Sequence, residues 1–293
     1  TIFLAALLVA AMLLSPTIPA TAQQPSDTDD SMTGVPYTLA ERRSEQIKNL
    51  NYDVEFFVPR LLDNDLLGRT TISFDLECAD TIVLDFIPGE GYLTSVKVND
   101  VSVEPLVDQE HIIIDAESVR EGRNSIVIEF VASDMSLNRT ENYLYTLLVP
   151  DRARTLIPCF DQPDLKARYT LHLNLPLEWD AVANAEVVSE ERLPFSRVLH
   201  FAPTEPLSTY LFSFVAGEFH TYDYQSEERA IRAYYVETEE YKVEQLETIC
   251  HQVIESIRWM EEYTAIDYPF AKYDLVLLPS FQYGGMEHTG ATL

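Results

Sequence analysis

Alternation of apolar and polar residues is the most regular pattern in the chain between residues 52 and 217. The clearest runs are Ile72, Phe74 and Leu76, and Tyr169, Leu171, Leu173 and Leu175. A period of two puts one face of a strand in the core and the other in solvent, which is typical of antiparallel sheets. Further strands are predicted at Thr81–Phe86, Thr94–Val98, His111–Asp115, Ser125–Ala132, Arg197–Phe201 and Tyr210–Val215, with a hairpin turn at Asn99-Asp100.

The pattern changes near Thr221. A strand at Ile231–Val236 precedes a stretch, Lys242–Tyr263, whose apolar residues recur three and four positions apart, which predicts an amphipathic helix. Those residues are Val243, Leu246, Cys250, Val253, Ile257 and Met260. Asp267-Tyr268-Pro269 ends the helix, and Tyr273–Leu278 returns as a strand. The fold is therefore expected to be mainly β, with an antiparallel β-sandwich or saddle-shaped domain over 46–220 and the incomplete start of a mixed α/β domain over 221–293.

The N-terminal stretch predicts export. Ile2–Leu14 is an uncharged apolar run that is short for a membrane span, and Ala20-Thr21-Ala22 has the small-x-small pattern of a signal-peptide cleavage site. Residues 1–22 are therefore expected to be a signal peptide, and the polar stretch after it predicts a disordered linker over 23–45. The protein is expected to be periplasmic or extracellular, with no stable membrane contact after cleavage. An uncleaved membrane anchor is the alternative.

Charge and cysteine content narrow the classes of function. The 293 residues carry a formal charge of −28, so the surface repels phosphate backbones and nucleic-acid binding is not expected. The three cysteines, Cys78, Cys159 and Cys250, are far apart and form no CxxC pair. They predict neither a disulfide framework nor a zinc ribbon, and buried free thiols are expected instead.

One short segment near the end of the sequence carries candidate binding chemistry. Residues 283–290 read Tyr-Gly-Gly-Met-Glu-His-Thr-Gly, directly after an apolar run. Two glycines let a ligand approach the backbone closely, so a peptide could align along the segment by main-chain hydrogen bonds. Glu287 at the end of such a track could hold a protonated α-amine. A turn with a solvated glutamate is the alternative on local chemistry alone.

This segment resembles the exopeptidase signature of the M1 zinc aminopeptidases, usually Gly-Ala-Met-Glu-Asn, in the variant Gly-Gly-Met-Glu-His. Upstream, the stretch from Arg154 to Tyr169 is similar to the family's Pro-Cys-Phe-Asp-Glu/Gln-Pro region, here Pro158 to Pro163. The two motifs occur in the family's order. The resemblance implies a thermolysin-like catalytic domain beginning at 221 and peptide substrates with a free N-terminus.

The resemblance also implies roles for individual residues. Glu287 would bind the substrate amine, the backbone of Gly284 and Gly285 would pair with the substrate main chain, and Met286 would line the pocket for the first side chain. His288 stands where the family usually has asparagine, and an orienting hydrogen bond is the expected role. Many members present a second acidic or amide side chain from the β domain, but Leu147 and Val149 occupy that place here.

The metal-binding motif of such enzymes is missing from the sequence. Zinc peptidases of this class use His-Glu-x-x-His on a helix, and no such motif occurs here. In the family it follows the glutamate signature, so zinc is expected in the full-length protein, with ligands beyond residue 293. No catalytic residue and no metal ligand are therefore assigned in this chain, which is expected to be inactive alone. A catalytically dead scaffold module and an unrelated β-sandwich adhesion or carbohydrate-binding protein are the alternatives.

Overall fold

The computed structural model describes residues 33–87, 92–227 and 229–293, and an eight-stranded sheet is its largest element. The strands of this sheet are β1 Ile47–Phe57, β2 Leu67–Leu76, β4 Tyr92–Val98, β5 Val101–Ser102, β8 Gly122–Val131, β11 Arg168–Pro176, β13 Val187–Arg192 and β14 Ser196–Phe201. Their order across the sheet is β13-β14-β11-β1-β2-β8-β4-β5. Neighbours are antiparallel as expected, except that β1 and β11 run parallel; the long connection between these two strands contains β2 to β10.

Those two smaller sheets pack against the inner face of the large one. One has the order β12-β15-β10-β9, with β9 Leu137–Arg139, β10 Tyr143–Thr146, β12 Asp180–Ala183 and β15 Phe214–Gly217. The other has the order β3-β7-β6, with β3 Ile82–Asp85, β6 Leu106–Asp108 and β7 His111–Ile114. Ring contacts cross both interfaces: Phe56 to Phe214 at 5.3 Å and Phe86 to Phe130 at 5.5 Å between centroids. The prediction of a mainly β, sandwich-like fold is confirmed.

Alternation along β1 shows how the sequence builds this core. Tyr52, Val54 and Phe56 are all 0–1% exposed, whereas Asp53 between them faces solvent. Burying a large apolar side chain contributes about 1.5–3 kcal/mol, so one strand face supplies a substantial part of the stability. The polar face of the same strand is left on the outside of the large sheet.

A further sheet, separate from the three described above, begins after residue 219. Its order is β16-β17-β18-β19, with β16 His220–Gln225, β17 Ala230–Tyr235, β18 Asp274–Leu277 and β19 Ala291–Thr292. The first pair is antiparallel and the next two are parallel, so the sheet is mixed, as predicted. The helices α2 Glu240–Val243 and α3 Leu246–Thr264 connect β17 to β18. Cys250 and Ile254 of α3 pack against Ile231 and Leu275 of the sheet, which is why the three-and-four spacing is apolar.

Part of the linker prediction is wrong. Residues 37–46, within or next to the range 23–45, form the helix α1 Tyr37–Gln46. Leu39 and Arg43 of this helix are 1% and 3% exposed, so tertiary packing orders a segment whose composition is polar. Residues 23–32 and the predicted signal peptide at 1–22 lie outside the described residues.

Two local predictions also differ from the structure. The strand predicted at Tyr210–Val215 begins only at Phe214, because Thr209–Leu211 forms a 3-10 helix in which the Leu211 N–H donates to the Ser208 carbonyl. Cys78 is exposed, whereas Cys159 and Cys250 are buried free thiols as expected.

The predicted hairpin turn is confirmed. Asn99 and Asp100 both have positive φ, at 48° and 68°, as the central residues of a type I′ turn do.

A buried carboxylate joins several elements of the β domain. Asp85, at the end of β3, accepts four hydrogen bonds: two from the Arg43 guanidinium at 2.7 and 2.8 Å, one from the His111 ring and one from the Asp161 backbone N–H. Burial opposes ionisation of Asp85, but Arg43 and these donors outweigh it and hold the pKa of the carboxyl below its ordinary value. The ion pair therefore links α1, β3 and β7 to the loop at 158–163.

That loop is itself held by buried polar contacts. Asp161 accepts from the Thr209 hydroxyl at 2.7 Å and from the Arg154 backbone N–H at 3.1 Å. Burial raises the pKa of Asp161 in spite of these donors. The Gln162 side-chain amide donates to the Ala40 carbonyl of α1 at 2.9 Å. These contacts hold the proline-flanked stretch to the helix α1 and to neighbouring parts of the β domain.

We expect Asp85→Asn to lower the free energy of unfolding by about 3 kcal/mol or more, because it leaves Arg43 buried beside a neutral group. Glu205→Gln is the matched control, since Glu205 pairs with Arg168 at 3.0 Å on the surface, with both side chains about half exposed. Urea unfolding of the protein measures both. Equal losses for the two variants would contradict the role given to Asp85.

Candidate functional site

The Gly-Gly-Met-Glu-His segment lies in the connection between two neighbouring parallel strands. β18 ends at Leu277, and β19 begins at Ala291 beside it, with Asp274 opposite Ala291. Residues 278–290 form no strand of their own, so the segment is a loop at the edge of the mixed sheet. Two reciprocal backbone hydrogen bonds, Met286 N–H to Leu293 carbonyl at 2.7 Å and the reverse at 3.2 Å, close the loop.

Asn184 fastens this loop to the β domain. Its side-chain amide donates to the Thr289 carbonyl at 3.0 Å and to the Leu211 carbonyl at 2.9 Å, and its oxygen accepts from the Ser213 N–H. Gly290 packs directly on it: φ is +76°, and an added Cβ would lie 2.2 Å from the Asn184 carbonyl oxygen. Only glycine fits this position, so the end of the segment is fixed against the β domain by both conformation and space.

A partly buried ion pair also holds this loop. The Lys272 ammonium donates to Asp274 and to the Gly290 carbonyl, each at 2.8 Å, and the Asp274 N–H donates to that carbonyl as well. Burial lowers the pKa of Lys272, and the Asp274 carboxylate opposes the effect. No sequence pattern pointed to Asn184, Lys272 or Asp274, because the Thr289 and Gly290 backbone that they bind lies far from them in the chain.

Met286 is packed inside an apolar cluster. It is 4% exposed and shares the cluster with Tyr145, Leu147, Val149 and Phe281, and the Tyr145 and Phe281 rings lie 5.4 Å apart. Leu147 and Val149 therefore bury apolar surface under the segment. This packing accounts for the apolar residues at these two positions.

Glu287 faces the opposite way, into solvent. Among the residues that the structure describes, its carboxylate makes no hydrogen bond and no ion pair. Gly284 and Gly285 are exposed too, and within the described part of the chain their backbone groups make no hydrogen bond. An added Cβ at Gly284 would meet nothing within 4 Å, so packing does not require glycine there. The exposed carboxylate of Glu287 therefore comes shortly after two exposed glycines, whose backbone no side chain covers.

His288, the next residue in the chain, is buried. It is 1% exposed, and neither ring nitrogen has a hydrogen-bond partner within the described residues, so the expected orienting hydrogen bond is not formed there. Burial lowers the pKa of His288 to about 4, and the ring is therefore neutral at physiological pH. Elsewhere in the described ranges, no group of three or more His, Cys, Asp and Glu side chains is arranged to hold a metal ion.

We expect His288 to make the protein less stable in mild acid. The unfolded chain binds the proton near pH 6.5 and the folded chain only near pH 4, so stability falls as the pH is lowered through this window. The loss attributable to His288 at pH 5 relative to pH 7.5 is about 2 kcal/mol. Urea unfolding of wild type and His288→Met at both pH values measures it. An identical pH dependence in the two proteins would contradict the assignment.

Comparison with known proteins places these features in a family context. The peptidase M1 N-terminal domain matches residues 51–211, and the peptidase family M1 domain matches residues 249–293. The first match covers the β domain with the Asp85 and Asp161 contacts, and the second covers the loop with Glu287.

Several aminopeptidases are similar to the chain. Human glutamyl aminopeptidase is 33% identical over 144 residues, which is 48% of this chain and 15% of that protein. Aminopeptidase M1-A of Oryza sativa subsp. japonica is 30% identical over 163 residues, 55% and 18% respectively. Aminopeptidase N of Streptomyces lividans is 30% identical over 153 residues, 51% and 17%. The aligned region thus spans less than a fifth of each relative's length. Because one family model covers more than half of the sequence, the chain belongs to the peptidase M1 family.

Proposed function

We propose that this chain is the N-terminal portion of an exported zinc aminopeptidase, and that it supplies the group that binds the free N-terminus of a peptide substrate. The observation that carries the proposal is Glu287, an exposed carboxylate without a partner in the described residues, next to an accessible backbone. Membership of the M1 family and the aminopeptidase relatives support the class of reaction.

The chemistry of the segment suits an α-amine. A carboxylate is an acceptor only, and a charge-assisted bond to an ammonium group is shorter and stronger than a neutral one. A substrate peptide would lie along Gly284 and Gly285 by main-chain hydrogen bonding, which accepts many sequences because it uses only backbone groups. Glu287 would then fix the register by holding the terminal amine, so that cleavage occurs one residue from the end.

His288 and Met286 would support Glu287 from beneath. Met286 is packed among Tyr145 and Phe281, and His288 is buried and neutral, so neither side chain competes with Glu287 for the cationic amine. Met286 is 4% exposed, so it would shape the pocket for the first substrate side chain from behind. The apolar Leu147 and Val149 leave Glu287 as the principal anion for the amine on this face.

Zinc would be supplied by ligands outside this sequence. The residues of this chain do not fit a catalytic zinc site, since the sequence has no His-Glu-x-x-His and the described residues bring no three ligands together. The chain therefore contributes binding and orientation of the substrate, and the hydrolytic step belongs to residues outside it.

Export rests on residues 1–22, the expected signal peptide, which lie outside the described residues. In the described ranges no helix is both long and apolar enough to cross a membrane. A catalytically inactive binding module of the same family remains the second candidate. An accessible Glu287 favours the enzyme, because a scaffold needs no group that recognises a free amine.

We expect Glu287→Ala in the complete protein to lower kcat/KM for peptides with a free N-terminus roughly 30-fold, because a charge contact with the substrate is lost. This factor corresponds to about 2 kcal/mol of transition-state stabilisation. Glu262→Ala, an exposed glutamate on α3, is the matched control and should leave kcat/KM unchanged. Steady-state kinetics measure both. An unchanged value for Glu287→Ala would remove this residue from the site, and a complete protein without any activity would favour the inactive module.

We expect Gly284→Ala to lower kcat/KM at least about tenfold without changing stability, since the added methyl group meets no protein atom and would only obstruct a ligand on the backbone. Gly290→Ala is the comparison: its Cβ would clash with Asn184, so it should lose stability first. Thermal unfolding and kinetics on the two variants separate these effects. Full activity of Gly284→Ala would exclude main-chain binding at this position.

A further inference from the structure

Two histidines face each other on the outside of the large sheet, away from the Glu287 loop. His172 of β11 and His200 of β14 are directly opposed across an antiparallel pair, and both are partly exposed. Their Nδ1 atoms are 2.7 Å apart, and their rings meet at an interplanar angle of 66° with centroids 4.8 Å apart. Each Nδ1 atom carries either a proton or a lone pair, so the two atoms are close enough for one to donate to the other.

Asp53 of β1 determines which atoms of this pair carry protons. Its Oδ2 lies 3.5 Å from Nε2 of His172. A carboxylate beside one ring nitrogen favours the proton on that nitrogen, which leaves the lone pair on Nδ1. In the metal-free pair, Nδ1–H of His200 then donates to Nδ1 of His172. A carboxylate that holds one ring nitrogen, with the lone pair on the other ring nitrogen, is the usual outer support of a histidine metal ligand.

The spacing fits two adjacent ligands of one cation. With metal–nitrogen bonds of about 2.0–2.1 Å, two cis ligands at a right angle are about 2.9 Å apart, and tetrahedral ligands about 3.4 Å. The observed 2.7 Å is closer to the right-angled arrangement than to the tetrahedral one. Imidazole ligands at right angles are typical of tetragonal sites for Cu²⁺ or Ni²⁺.

We propose that His172 and His200 form a binding site for a late divalent transition-metal cation, with Cu²⁺ preferred. The cation would take the position of the proton between the two Nδ1 atoms, and His200 would carry its proton on Nε2 instead. Water would complete the coordination shell, because the pair supplies two protein ligands. Glu55, opposite His172 on β1, and the net charge of −28 add a favourable field for a cation.

Copper binding to the complete protein tests the site. The protein is isolated with the zinc that the proposed function expects, so that the zinc site is already filled. Isothermal titration with Cu²⁺ at pH 7.5 and electron paramagnetic resonance at one equivalent should report one tight ion with nitrogen ligands. His172→Gln and His200→Gln should each weaken that equivalent at least about 100-fold, because the chelate is broken. His251→Gln, an exposed histidine on α3, is the matched control and should retain it.

Asp53→Ala distinguishes the arrangement from two independent histidines. It leaves both ligands in place and should weaken binding about 10- to 100-fold, the usual effect of losing an outer carboxylate partner. Circular dichroism verifies that the variants are folded. Equal copper affinity in wild type, His172→Gln and His200→Gln would overturn the proposal. So would an equal loss in His251→Gln, since binding would then be distributed over surface histidines.

Discussion

The buried Asp85 carboxylate is the constraint on which the β domain depends most. A charge at 0% exposure is tolerated only when donors surround it, and here the donors come from three separate parts of the chain. Arg43 comes from the N-terminal helix, His111 from a neighbouring strand and the Asp161 N–H from the proline-flanked loop. Each of these elements supplies part of the set of donors that the buried carboxylate needs, so they are ordered together. This explains why a polar segment such as α1 is helical.

Polar side chains that bind backbone carbonyls also connect the β domain to the loop that carries Glu287. Asn184 and Lys272 satisfy backbone carbonyls of Thr289 and Gly290, and Gly290 has no room for a side chain. The fixed end of the loop is thus buried and polar, whereas its beginning is exposed and open. Rigid support below an accessible carboxylate is what a binding group requires, because its position is then set before the ligand arrives.

The local sequence pattern was enough to predict some elements, whereas others depended on tertiary contacts. The period-two run in β11 and the three-and-four spacing in α3 were enough to predict a strand and a helix, because burial of one face decides both structures. The strand predicted at Tyr210–Val215 was misplaced because a 3-10 helix takes up the N–H groups of Leu211 and Phe212. Nothing in this almost continuous apolar run distinguishes the two outcomes.

The sequence by itself determined the mainly β fold, the change to a mixed domain near residue 221 and the identity of the candidate binding segment. Periodicity and short motifs are local, so they can be read in order along the chain. Only the tertiary structure decided that Met286 is buried while Glu287 is exposed, that Asn184 holds the loop, and that His172 and His200 meet across a sheet. Each of these depends on which distant backbone lies alongside, and strand pairing, rather than composition, determines that.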